Sequence, residues 1–84
     1  MLHEYRKKTT IKAEQFDGSD EMIKKYGIND LNYIGVVIGP PHYRLPTKEG
    51  NMSLHTGDWI ATGIDGEHWV IADDIFRRTY ERCD

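Results

Sequence analysis

One cysteine, Cys83, is all this 84-residue chain contains, so no disulfide can close within it. Such sparing use of cysteine suits a reducing cytoplasm. No Cys-x-x-Cys or His-x-Glu element accompanies the four histidines, His3, His42, His55 and His68, so zinc-site spacing is missing and no metal is expected. Long apolar runs are missing too. The longest, Ile34 to Ile38, is strand-sized and interrupted by Gly35, far short of the roughly 18 residues a membrane span requires. Met1-Leu2-His3-Glu4 lacks the basic-then-apolar order of a secretory leader, which predicts no export by that route. Excess charge of either sign is also lacking. A net charge of −3 and pI near 5.7 disfavour wrapping duplex DNA, and 14 acidic against 11 basic residues are too balanced for a DNA mimic.

What is present is the composition of an ordinary folded domain: 38% hydrophobic and 30% charged residues, in a length suited to one domain over 1–84. From Thr9 to Phe16, Ile11 and Ala13 alternate with Lys12 and Glu14, the period of a half-buried strand, and Asp17-Gly18 ends it as a turn. Ser19 reads as a helix N-cap. Asp20 and Glu21 follow in the first turn, Lys24 and Lys25 in the last, and Gly27 is the stop. Met22, Ile23 and Tyr26 share one face of this short helix, about 19–26, and need a sheet to dock on. Residues 28–32 read as loop or helical turn.

Tyr33 to Ile38 reads as a buried strand stopped by Gly39-Pro40-Pro41, and His42 to Lys48 as a return strand demoted toward an edge by Pro46. A hairpin turn at Glu49-Gly50-Asn51 leads to a strand through His55, and Thr56-Gly57 breaks it. Asp58 to Thr62 and Glu67 to Ala72 form a hairpin about Asp65-Gly66. Asp73 or Asp74 is expected to cap a helical turn near 74–78, and Thr79 to Arg82 to form a last strand. The fold class is therefore α+β: a small, strongly bent antiparallel sheet or partly open barrel of five to six strands, with the helix over one opening.

Catalytic signatures are wanting. Ser19 is spent as a cap, Ser53 has no glycine-framed elbow, and the dispersed glycines make no phosphate-cradling loop. No enzyme and no cofactor are expected. Aromatics are plentiful instead: two tryptophans, five tyrosines and two phenylalanines, more than so small a core requires. Rings with polar tips serve as stacking platforms for bases and as interface anchors. Trp59 and Trp69 lie on strand-like segments; Arg6-Lys7-Lys8 and Arg77-Arg78 are the basic clusters. Arg6, Lys7, Lys8, Gln15, Trp59, Trp69 and Arg77 are thus the candidate ligand-binding residues, cations holding phosphate while rings stack and Gln15 meets a base edge. As structure alone, the same residues are core tryptophans and solvated charge.

Arg6-Lys7-Lys8, Ile11-x-Ala13-x-Gln15-Phe16-Asp17-Gly18, Gly57-Asp58-Trp59-Ile60, Gly63-x-x-Gly66-Glu67, Asp74-x-Phe76 and Thr79-Tyr80-Glu81 together resemble a family of small phage and prophage proteins marked by a Pro-Gly-Asp-Tyr/Trp turn. Thr56 stands where that family usually has proline, and His68 to Asp73 differs from its frequent Tyr-Pro-Cys-Lys-Pro run. The resemblance implies a phage-encoded accessory protein in the cytoplasm of an infected or lysogenic bacterium. The leading expectation is counter-defence: sequestration of a nucleotide-derived signal by a homodimer or larger homo-oligomer with sites at subunit interfaces. Direct inhibition of a host defence or transcription protein is the alternative, and a structural or DNA-metabolism accessory a third.

Overall fold

A computed structural model describes residues 2–6, 9–31 and 43–83. Eight elements follow in chain order: β1 (Lys12–Gln15), α1 (Asp20–Tyr26), β2 (Asn29–Asp30), β3 (Tyr43–Thr47), β4 (Gly50–Leu54), β5 (Trp59–Thr62), β6 (His68–Ile71) and α2 (Asp73–Thr79). The α+β class stands, but among the described residues the strands are not joined in the single bent sheet or partly open barrel expected from the sequence. Among the described residues they divide into two three-stranded antiparallel sheets, ordered β1-β5-β6 and β2-β3-β4. The expected strand at 33–38 lies outside the described residues.

Helix α1 begins and ends where its caps dictate. Ser19 is extended and its hydroxyl accepts the Met22 amide at 3.3 Å, while Asp17 accepts the Ser19 amide at 2.9 Å. Those Ser19 hydrogen bonds hold the Asp17 carboxyl below its usual range. At the other end Gly27 takes φ 65°, a left-handed conformation that costs a side chain dearly. Its amide bonds the Lys24 carbonyl at 3.4 Å and the Ile28 amide bonds that of Ile23 at 2.9 Å, a Schellman closure with the usual Ile23–Ile28 apolar partners.

Asn29 and Asp30, read from sequence as loop or helical turn, pair as a two-residue strand with Arg44 and Tyr43. That pairing places β3 in the middle of its sheet rather than at an edge. Pro46 survives there because β2 stops at Arg44. Counting back from the Thr47–Gly50 pair that closes the two-residue hairpin, Pro46 faces Asn51 at a non-hydrogen-bonded position. The turn itself is Lys48-Glu49, one residue earlier than expected, with Gly50 opening β4.

The register of β1-β5-β6 sorts side chains onto two faces. Glu14, Ile60 and Val70 form one cross-strand row and Lys12, Thr62 and His68 the next, both on one face. Gln15, Trp59 and Ile71, then Ala13, Ala61 and Trp69, occupy the other. The core lies on the first face, where Ile60 and Val70 meet Phe16, Met22 and Ile28, and Leu45 and Leu54 of the second sheet. Helix α2 covers the opposite face, its Phe76 ring stacked on Trp59 at 4.0 Å and 10°.

Two further expectations are corrected at the C-terminal end. Neither Asp73 nor Asp74 caps α2: Ala72 holds the N-cap position and no side chain bonds the exposed amides. Asp73 turns away to accept hydrogen bonds from the sheet. Thr79 ends the helix, donating its hydroxyl to the Ile75 carbonyl at 2.7 Å, and residues 80–83 form no strand.

Candidate functional site

Three of the sequence-predicted binding residues do meet. The Trp59 indole N–H, the Arg77 Nε and the Gln15 Nε2 all donate to one oxygen, Asp73 Oδ1, at 2.8, 2.9 and 3.4 Å. Gln15 also donates to the Gly57 carbonyl at 2.9 Å. The Trp59 and Arg77 bonds hold the Asp73 carboxyl below its usual range. Trp59, Phe76 and Tyr80 continue as a ladder of stacked rings, with 5.2 Å between the last two. These partners face one another, so the cluster fastens α2 to the sheet.

The Gly57-Asp58-Trp59 motif has a structural account as well. Gly57 takes φ 100°, the Asp58 carboxylate accepts the His55 amide at 2.9 Å, and backbone bonds tie Phe16 to Gly57 and Asp58. Trp69 lies on the same face as Trp59, opposite Ala61. Arg6 is exposed in the irregular N-terminal segment; Lys7 and Lys8 lie outside the described residues. His55 is exposed beside Asp58 at 3.5 Å, and His42 is not among the described residues. Among those residues no three His, Cys, Asp or Glu side chains gather as a metal site, and no helix is long and apolar enough to cross a membrane.

A different set of residues lines a trough of about 400 Å³: Lys12, Ala13, Glu14, Lys25, Tyr26, Thr62 and His68. Sheet register builds its floor. The row Lys12–Thr62–His68 crosses three strands on the core-facing side, one row beyond the buried Ile60. The C-terminal turn of α1 supplies the wall. Lys25 Nζ lies 2.7 Å from Glu14 Oε1, and the Tyr26 hydroxyl donates to that same oxygen. His68 stands edge-on to the Tyr26 ring at 5.0 Å and 90°, with Nδ1 2.9 Å from Thr62 Oγ1.

The electrostatics follow from those contacts. Hydrogen bonds from Lys25 and then Tyr26 hold the Glu14 carboxyl below its ordinary range. Glu14 in turn raises the Lys25 ammonium, and burial, helped by Glu14, raises the Tyr26 phenol. Because folding lowers the Glu14 pKa, its stabilisation is present above the ordinary glutamate range and lost as pH falls through the lowered folded value. The pair is solvated, its carboxylate side chain 40% exposed, so the effect is modest. Urea titrations between about pH 6 and about pH 3 should show a shallower acid decline for Glu14→Gln than for the parent. Identical slopes would show that Glu14 contributes nothing.

Lys12, Lys25, Tyr26, Thr62 and His68 are not among the ligand-binding residues expected from sequence, where Lys25 and Tyr26 figured only in the helix and His68 only among the histidines. Strand alternation puts Lys12 and Glu14 on one face, and the Asp65-Gly66 turn pairs Thr62 with His68; the meeting of these pairs needs the β1–β5 register. No family model matches this chain, and no curated protein or solved structure matches it.

Proposed function

We propose that this chain is a non-catalytic, phage-encoded accessory protein that captures a small anionic ligand of nucleotide type in the bacterial cytoplasm, as a counter-defence device. The observation that carries the reading is the trough itself, whose lining brings two lysines, Lys12 and Lys25, together with the Tyr26–His68 ring pair. Its volume, about 400 Å³, falls within the roughly 300–1,000 Å³ of small-molecule sites. Ammonium groups hold phosphate oxygens by charge-assisted hydrogen bonds, and aromatic rings accept a base by stacking. Glu14 offsets one of the two positive charges, leaving a surplus that favours an anion. A surface trough gains depth when a second protomer closes over it, so a homodimer belongs to the proposal.

Thermal unfolding against a panel of nucleotides and cyclic nucleotides tests it. Ligand at a hundredfold excess over Kd stabilises by about 2.7 kcal/mol, which in a domain this size raises Tm by roughly 10–20 °C. Unchanged Tm with every member of the panel would overturn the reading.

A second reading, direct inhibition of a host protein, draws on α2. No α2 residue is fully buried, and Ile75 is 46% exposed next to Phe76 and the half-buried Tyr80. Apolar and aromatic anchors of this kind concentrate binding energy at interfaces. Co-purification of one host protein, lost with Ile75→Asp while nucleotides leave Tm unmoved, would favour it.

A further inference from the structure

His68 is the pivot of the trough, and the groups facing it come from every neighbouring element. Lys12 and Glu14 face it from β1, Lys25 and Tyr26 from α1, and Thr62 from β5. Beyond β6, a smaller recess brings in Lys48 and Asp65 from the two hairpin tips. Glu67 lines that recess, but its carboxylate is directed elsewhere. A Cβ on Gly63 would fall 1.5 Å from Glu67 Oε1 and 3.1 Å from the Trp69 ring, and strand alternation puts that surface opposite His68.

The Thr62 contact tolerates either charge state of the imidazole. A hydroxyl donates to a bare Nδ1 and accepts from a protonated one, so the ring keeps its place as it gains a proton. The other titrating groups of the trough stay fixed in charge across neutral pH: Glu14 is held low by Lys25 and Tyr26, Lys25 is raised by Glu14, and Tyr26 is raised by burial. Imidazole is the side chain that ordinarily changes charge between about pH 5 and 8.

We infer that anion binding in this trough is coupled to proton uptake at His68, so that the ligand is held more tightly in mild acid than in mild alkali. The inference rests on the capture reading and specifies its regulation. One added positive charge within about 5 Å of a ligand anion, in a largely aqueous setting, strengthens binding by about five- to tenfold. Linkage is reciprocal: the bound anion raises the proton affinity of His68 by the same factor.

The test uses a cyclic nucleotide monophosphate, whose phosphodiester carries one negative charge throughout this range. Its Kd, measured calorimetrically on the full chain, should be about five- to tenfold weaker near pH 8 than near pH 5.5. His68→Gln should flatten that dependence, which also separates His68 from the other three histidines, His3, His42 and His55. If the variant fails to fold, NMR titration of the parent supplies the same answer: the His68 midpoint should move upward when the ligand saturates. A pH-independent Kd, or a His68 midpoint unmoved by ligand, overturns the coupling and leaves capture standing. No binding at any pH overturns both.

Discussion

Phe16→Ala is expected to remove about 3–5 kcal/mol, a third or more of the stability of the fold. Phe16 is 1% exposed, and it joins three parts of the molecule at one point. Its ring packs among Met22, Ile28, Leu45, Leu54 and Ile60 and meets Tyr43 edge-on at 4.9 Å and 77°. Its backbone continues the β1–β5 ladder, donating to the Asp58 carbonyl at 2.8 Å and accepting the Gly57 amide at 2.9 Å. Truncating a buried phenylalanine costs about 3–5 kcal/mol through lost transfer energy and the cavity left behind. An 84-residue domain has only about 5–10 kcal/mol in total. Tyr5→Ala, at a ring 90% exposed, should stay within about 0.5 kcal/mol of the parent. Urea denaturation followed by tryptophan fluorescence reads both. A Phe16→Ala loss under about 1 kcal/mol would mean that the core is not organised around this ring.

The largest functional effect is expected from Lys12→Glu combined with Lys25→Glu. Each replacement puts a repelling carboxylate where the proposed site would offer phosphate an ammonium. A hydrogen bond to a charged group contributes about 1.5–3 kcal/mol, so losing two weakens nucleotide binding at least about 100-fold. Folding should survive. Lys12 is exposed, and the Lys25–Glu14 pair, with its lysine side chain 61% exposed, is a solvated surface pair that adds little to stability. Arg77→Glu is the contrasting variant. It breaks the contact with Asp73 and loosens α2, yet it should leave nucleotide affinity within about twofold, because Arg77 serves the opposite face of the sheet. Calorimetry on the three proteins decides. Loss with Arg77→Glu and retention with the double variant would move the site to the α2 face.

Features governed by neighbours in sequence were readable from the residues alone. Ser19, Asp20, Glu21, Lys24, Lys25 and Gly27 define α1 because caps and dipole charges act within one turn of the backbone. Asp17-Gly18 and Asp65-Gly66 turn where their glycines adopt positive φ. What was not readable depends on partners far away in sequence. Asp73 abandons the cap role for Trp59 and Gln15, 14 and 58 residues distant. Thr79-Tyr80 favours a strand locally, yet Tyr80 stacks on Phe76 and Thr79 bonds back to Ile75, which closes a helix. Asn29-Asp30 has little strand propensity of its own and is set by pairing with β3.

The division into two sheets has the same origin. Alternation marks which residues form strands; it leaves open which strand each one meets. The candidate site suffered most from this. Gln15, Trp59 and Arg77, expected from sequence to hold a ligand, meet on Asp73. Lys12, Tyr26 and His68 come together only through the β1–β5–β6 register and the docking of α1.

Backbone and imidazole NMR spectra of the isotope-labelled chain, recorded while a cyclic nucleotide monophosphate is added, test the central claim most directly. Saturable shifts should concentrate at Lys12, Lys25, Tyr26, Thr62 and His68 and leave Phe76 and Tyr80 unmoved. Shifts gathered along α2 instead, or spectra that never change up to millimolar nucleotide, would contradict the assignment of the trough.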